Sequence, residues 1–117
     1  MNSGTNPLLG VSEKQLQAAI VEIAKWEGWL VFHALPVQNA QGRWRTAQQG
    51  DTGFPDLVLA HRDRGVIFAE LKSTIGRVSE YQMKWIETLK AAGAEVYVWR
   101  PRDIAEARQV LREGAPK

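Results

Sequence analysis

Two hydrophobic periods alternate along this chain. Leu16, Ala19, Ile20, Ile23 and Ala24 recur every three or four residues, the spacing of one buried helical stripe. Ser12 with Gln15 three residues later forms a capping box ahead of that stripe, and Gly28 can adopt the left-handed closing conformation, so a helix should run from Ser12 to about Glu27. Trp29 to Ala34 is short, aromatic and β-branched, lies between a glycine and a proline, and predicts a strand. Residues 35–53, rich in Gln, Gly and Arg, predict a long loop, and loops of that length in compact domains are usually functional or mobile.

Asp56 to His61 and Val66 to Lys72 are two further apolar runs, joined by Arg62, Asp63, Arg64 and Gly65. So short a connection forces an antiparallel hairpin. Ser79 and Gln82 make a second capping box, followed by the stripe Trp85, Ile86 and Leu89 and the stop at Gly93. Glu95 to Trp99 is the last strand, and Ile104, Ala107, Val110 and Leu111 mark a closing helix. A strand, a helix and a strand in succession favour a right-handed crossover with parallel strands. The order αβββαβα therefore predicts an α/β fold, a mixed four-stranded sheet flanked by helices.

At 117 residues the chain makes one domain, expected at 12–113 between loose polar ends at 1–11 and 114–117. It has no cysteine, and its two histidines are far apart in sequence, so disulfides, thiolate chemistry and a His-based zinc site are excluded. Any metal must be held by oxygen. No signal segment and no membrane-length apolar run occurs, which leads to the expectation of a cytoplasmic protein that is neither secreted nor membrane-bound. Walker-type phosphate loops and Gly-x-Ser-x-Gly elbows are missing, which removes the NTPase and esterase readings. The net charge of +2 permits a polyanionic partner without demanding one.

Charge becomes informative where it interrupts the apolar pattern. The run Val66 to Lys72 is apolar except for Glu70 and Lys72, which share one face of a strand because side chains alternate. Centring the hairpin on Arg62 to Gly65 pairs residues whose numbers sum to about 126 or 127 and brings Asp56 opposite Glu70 or one place off. Two carboxylates about 5 Å apart repel by on the order of 3 kcal/mol at an effective dielectric of about 20, and one lysine cannot neutralise both. A divalent cation resolves the conflict. Mg²⁺ takes one or two carboxylates and completes its octahedron with water and substrate phosphate oxygens, and Lys72 can orient the attacking water. Chemistry of that kind suits phosphodiester hydrolysis, whereas the structural alternative is a salt bridge beside an Asp that breaks a strand.

Other residues carry two readings each. Glu13 lies on the sheet-facing side of the first helix and can add a third carboxylate, or simply stabilise the helix dipole. Gln82 shares the apolar stripe of its helix and is also the partner of Ser79, while Gln17, one turn beyond Glu13, can support the site or be solvated. His33 and His61 are expected to be structural. Arg43, Arg45, Arg62, Arg64 and Arg77 are candidate DNA-binding residues, as guanidinium groups suit phosphate contacts, and Arg100 and Arg102 sit at a strand end. Trp44, between two arginines, can stack on or wedge between bases.

Gly53-Phe54-Pro55-Asp56, thirteen intervening residues and then Glu70-Leu71-Lys72 resemble the signature of the PD-(D/E)XK nuclease superfamily. Glu13-x-x-Gln-Leu-Gln and Ser79-x-x-Gln82-x-x-Trp85 are similar to its VRR-NUC branch, the virus-type replication-repair nucleases, and the likeness runs from about Ser12 to Arg100. It implies a restriction-endonuclease-like αβββαβ core, Mg²⁺ or Mn²⁺ dependence, and Glu13, Asp56, Glu70 and the Leu71 carbonyl as metal ligands. It also implies Lys72 as catalytic, Gln82 beside the site, and, as in short phage-encoded members, a homodimer acting on branched DNA such as Holliday junctions. The competing readings are a non-catalytic nucleic-acid-binding or dimerising module that kept the fold, and a sequence-specific restriction-type endonuclease.

Overall fold

The computed structural model describes residues 6–33, 36–38, 44–46 and 50–114, the two short internal segments by backbone alone. Helix α1 (Glu13–Trp26) starts where its capping box predicts: Ser12 Oγ accepts from the Gln15 amide at 3.0 Å and Gln15 Oε1 accepts from the Ser12 amide at 2.9 Å. Strand β1 (Leu30–Phe32) is shorter than the predicted Trp29 to Ala34. Residues 35–53 differ more from expectation. They contain a two-stranded antiparallel ribbon, β2 (Pro36–Gln38) and β3 (Trp44–Thr46), in register Pro36↔Thr46 and Gln38↔Trp44. Strands of three residues are too short to show an alternating pattern, so sequence periodicity has nothing to detect.

The hairpin of β4 (Leu57–His61) and β5 (Gly65–Leu71) forms as predicted, with Leu57↔Ala69 and His61↔Gly65 opposed. Helix α2 (Glu80–Ala91), begun by the Ser79–Gln82 capping box, crosses over to β6 (Glu95–Trp99), which lies parallel to β5. Helix α3 (Ile104–Glu113) follows a 3-10 turn at Pro101–Asp103. The main sheet has the order β1-β4-β5-β6, mixed because only its last pair is parallel.

The core sits between this sheet and the pair α1 and α3. Leu16, Ile20 and Ala24 of α1 and Ala107, Val110 and Leu111 of α3 pack on Leu57, Leu59, Ile67, Ala69, Leu71 and Trp99. Each large side chain so buried stabilises the fold by about 1.5 to 3 kcal/mol. The N-terminal stretch expected to be loose is partly built. Pro7–Gly10 form a 3-10 turn capped by Asn6, and the Leu8 carbonyl accepts a hydrogen bond from Thr74 Oγ1 at 3.0 Å. No helix among the described residues is long and apolar enough to cross a membrane.

Candidate active site

The observed β4–β5 pairs sum to 126, so one further step along the hairpin brings Asp56 beside Glu70. Asp56 lies just before β4 and Lys72 just after β5, at the open end of the hairpin. The approach to Asp56 is tightly built. Gly53 has φ +95°, and a Cβ there would fall 2.5 Å from the Tyr81 carbonyl carbon and 2.8 Å from the Gln82 amide nitrogen, so only glycine lets the chain press against the first turn of α2. Phe54 then meets Phe68 and Trp85 edge-on, with ring centroids 5.9 and 5.0 Å away, and Pro55 is buried. These contacts give the Gly53-Phe54-Pro55-Asp56 run a mechanical role in aiming one carboxylate.

Asp56 Oδ2 accepts from the Leu71 amide at 2.9 Å, which ties it to β5 next to Glu70. Glu70 is 1% exposed and Lys72 8%, and the lysine Nζ stands 3.4 Å from Glu70 Oε2. Even so, neither oxygen of the Glu70 carboxylate has a partner in hydrogen-bonding geometry. Burial first, and the Asp56 carboxylate second, push the Glu70 pKa up to about 7, against the opposing pull of Lys72 and the Asp56 amide. Asp56 is itself raised, by burial more than by the charge of Glu13, with its Leu71 hydrogen bond and Lys72 holding it back. A buried carboxylate without hydrogen-bond partners is costly, and this corner contains one with a second acid beside it and a single lysine as counter-charge to both.

Glu13, exposed at the first position of α1, comes to the same corner: a Cβ on Gly76 would lie 3.3 Å from its Oε2. Among the described residues no three acidic or histidine side chains are close enough to cage a metal by themselves. The donor set is instead a carboxylate pair with a nearby third acid. That suits a hard cation such as Mg²⁺, which binds through one or two carboxylates and leaves positions for water and phosphate. The two orphaned Glu70 oxygens are the observation that fits such an ion.

Gln82 closes its capping box, with Oε1 accepting from the Ser79 amide at 2.9 Å, and its backbone nitrogen abuts Gly53. Gln17 Nε2 and His33 Nδ1 are 3.4 Å apart, and His33 is half-buried one residue beyond the Phe32↔Val58 pair, a neighbourhood that its isolated place in the sequence does not reveal. Arg62 and Arg64 lie at the closed end of the hairpin, about 17 Å of strand away from Asp56. Arg62 is exposed, whereas Arg64 Nη1 donates to the Leu111 carbonyl at 2.8 Å and the Glu27 carbonyl at 3.3 Å and so ties the ends of α1 and α3. Its Nη1 is therefore engaged in structure. Arg77 is exposed between Lys72 and α2. Arg43 lies outside the described residues, and Trp44 and Arg45 are described only as backbone of β3. Arg100, which the sequence places at a strand end, is half-buried, and its Nη1 donates to the Ser73 and Gly76 carbonyls at 2.7 Å each.

The family model described as VRR-NUC domain matches residues 11–103, most of the chain and every element from α1 to β6. No individual curated protein and no solved structure matches significantly.

Proposed function

The chain belongs to the VRR-NUC domain family, a nuclease-type fold, and from that premise we propose that it is a Mg²⁺- or Mn²⁺-dependent endodeoxyribonuclease. Its reaction is hydrolysis of a DNA phosphodiester. The single observation that carries this reading is the buried, unpartnered Glu70 carboxylate beside Asp56 and within reach of Lys72. Asp56 and Glu70 would hold the divalent ion, which when bound supplies positive charge to the phosphate and acidifies a water. The Leu71 carbonyl and Glu13 are further ligands in this proposal.

Each residue then has a defined task. Glu70 and Asp56 concentrate negative charge where a cation and an incoming phosphate must meet. Lys72 offers three N–H donors at the rim of that charge, where it orients the attacking water and offsets the negative charge that grows on the phosphoryl oxygens. Gln82, at the start of α2, borders the site, and exposed Arg62 and Arg77, with Arg43, Trp44 and Arg45 of the 35–53 segment, extend the DNA contact. We further propose, on the resemblance to short members of the family, that two copies associate and that branched DNA such as a Holliday junction is the preferred substrate.

Incubating the purified protein with junction, flap, duplex and single-stranded DNA, with Mg²⁺, Mn²⁺ or chelator, tests the proposal. Metal-dependent cleavage strongest on the junction is expected. DNA binding without cleavage under all conditions would leave only a binding module, and cutting that follows base sequence rather than branch geometry would replace junction selectivity.

A further inference from the structure

The four residues after Lys72 form a turn in which the Gly76 amide donates to the Ser73 carbonyl at 3.2 Å. This turn touches the site at both ends. Its start continues the β5–β6 ladder, since the Lys72 amide donates to the Trp99 carbonyl at 3.0 Å. Its finish sets Gly76 against Glu13, where an added Cβ would lie 2.9 Å from Ser73 Oγ and 3.3 Å from the Glu13 carboxylate. Thr74 Oγ1 meanwhile reaches the Leu8 carbonyl ahead of α1. The segment from Ser73 to Gly76 thus joins the strand carrying Glu70 and Lys72 to the helix carrying Glu13.

One side chain closes this turn from outside. Arg100 Nη1 donates to the carbonyls of Ser73 and Gly76, the first and last residues of the turn, at 2.7 Å each. Arg100 is itself anchored, because its amide donates to Asp103 Oδ2 at 2.8 Å just after β6. Among the described residues no carboxylate lies within ion-pair distance of its guanidinium, so the backbone carbonyls are its partners. A cation that grips both ends of a turn holds the turn's span, and the last residue of this turn, Gly76, stands against the Glu13 carboxylate.

We infer that Arg100 is a positioning residue of the metal site, acting through the 73–76 turn on Glu13, an inference that rests on the proposed nuclease reading. Groups that orient metal ligands typically alter metal affinity by about 10- to 100-fold when removed. Arg100 touches neither substrate nor ion. Its rigid planar fork suits two fixed carbonyls better than a lysine ammonium, which would grip them less uniquely.

The test measures Mn²⁺ binding to the full chain by titration calorimetry, beside thermal stability in chelator and cleavage rate. Arg100→Ala should weaken Mn²⁺ binding about tenfold while the protein stays folded, and Arg100→Lys should recover part of the loss. In a Glu13→Gln background Arg100→Ala should change Mn²⁺ affinity less than about twofold, because the route it acts through is gone. A folded Arg100→Ala variant with wild-type Mn²⁺ affinity would overturn the inference, as would a full tenfold loss in the Glu13→Gln background. Should Arg100→Ala not fold, Gly76→Ala disturbs the same contact from the other side and must weaken Mn²⁺ binding too; unchanged affinity there overturns it equally. Glu70→Gln is the control: if it binds Mn²⁺ as wild type does, the metal-site reading itself fails, whereas loss in Glu70→Gln with none in Arg100→Ala removes only the role of Arg100.

Discussion

The two ends of the β4–β5 hairpin treat buried polar groups in opposite ways. At the closed end, Trp29 Nε1 and Arg64 Nη1 both donate to the Leu111 carbonyl at 2.8 Å, and Arg64 also reaches the Glu27 carbonyl. Donors and acceptors there balance, and the last turns of α1 and α3 are tied together. At the open end the two oxygens of Glu70, and Trp99 Nε1 on the paired strand, are buried without partners, and Asp56 adds a second acid. The same two strands therefore contain one corner arranged for stability and one that gives stability away. Buried carboxylates that lack hydrogen-bond partners cluster where binding or catalysis needs them, and this contrast is the ground for proposing the open end as the site.

Replacing Glu70 by Gln gives the largest break in this contrast. Cleavage should fall by at least about 100-fold, an increase of about 3 kcal/mol in the barrier, because a charge that acts on the transition state is lost. The metal-free protein should meanwhile become more stable near neutral pH, since the buried repulsion goes. Steady-state cleavage and denaturant unfolding in chelator measure the two effects, and a variant that loses both stability and activity would mark Glu70 as an ordinary structural residue.

The pH dependence of the metal-free protein is the next effect in size. With its folded pKa near 7 against an ordinary 4.5, Glu70 favours the fold while protonated. Its contribution is complete below about pH 4.5 and disappears as pH rises through about 7, in all about 3 kcal/mol. Asp56, also raised, has the same sign. Denaturation in chelator should therefore show stability falling by about 2 kcal/mol from about pH 5.5 to about pH 8, and falling less in Glu70→Gln. A flat profile in the wild type would mean that the open end is not strained.

The closed end should answer differently. Arg64→Ala removes a charged donor from two carbonyls and should cost about 1.5 kcal/mol of stability with cleavage per folded molecule unchanged. A specific loss of DNA affinity at equal stability would instead restore the phosphate-binding role that its place in a turn predicts.

Local order was legible in the sequence and long-range partnership was not. Both capping boxes, the hairpin and its register, and the crossover onto β6 follow from neighbours a few residues apart, and so the meeting of Asp56 with Glu70 could be counted out from the turn. Arg64 and Arg100 could not be read this way. Their partners are the carbonyls of Leu111, Glu27, Ser73 and Gly76, 24 to 47 residues distant, and a carbonyl is the same at every position, so composition contains no trace of the contact. The β2–β3 ribbon escaped because strands of three residues are too short to show an alternating pattern. Glu13 and Gln82 stand between these cases: their capping neighbourhoods were visible, whereas the approach of Glu13 to Gly76 was not.

The smallest effect concerns how the closed end shares one acceptor. The Leu111 carbonyl has two lone pairs and two donors, Trp29 Nε1 from just before β1 and Arg64 Nη1 from the hairpin turn. Trp29→Phe removes one and should cost about 1 kcal/mol, because Arg64 still satisfies the oxygen. Arg64→Ala likewise leaves the indole in place. Removing both leaves a carbonyl bare where Trp29 is 2% exposed and Leu111 fully buried, a penalty neither single change incurs. The double variant should therefore lose more than the sum of its parts, by about 0.5 kcal/mol or more in denaturant unfolding. Strict additivity would show that water reaches Leu111 and that the closed end is less dry than its burial implies, which would narrow the difference between the two ends of the hairpin.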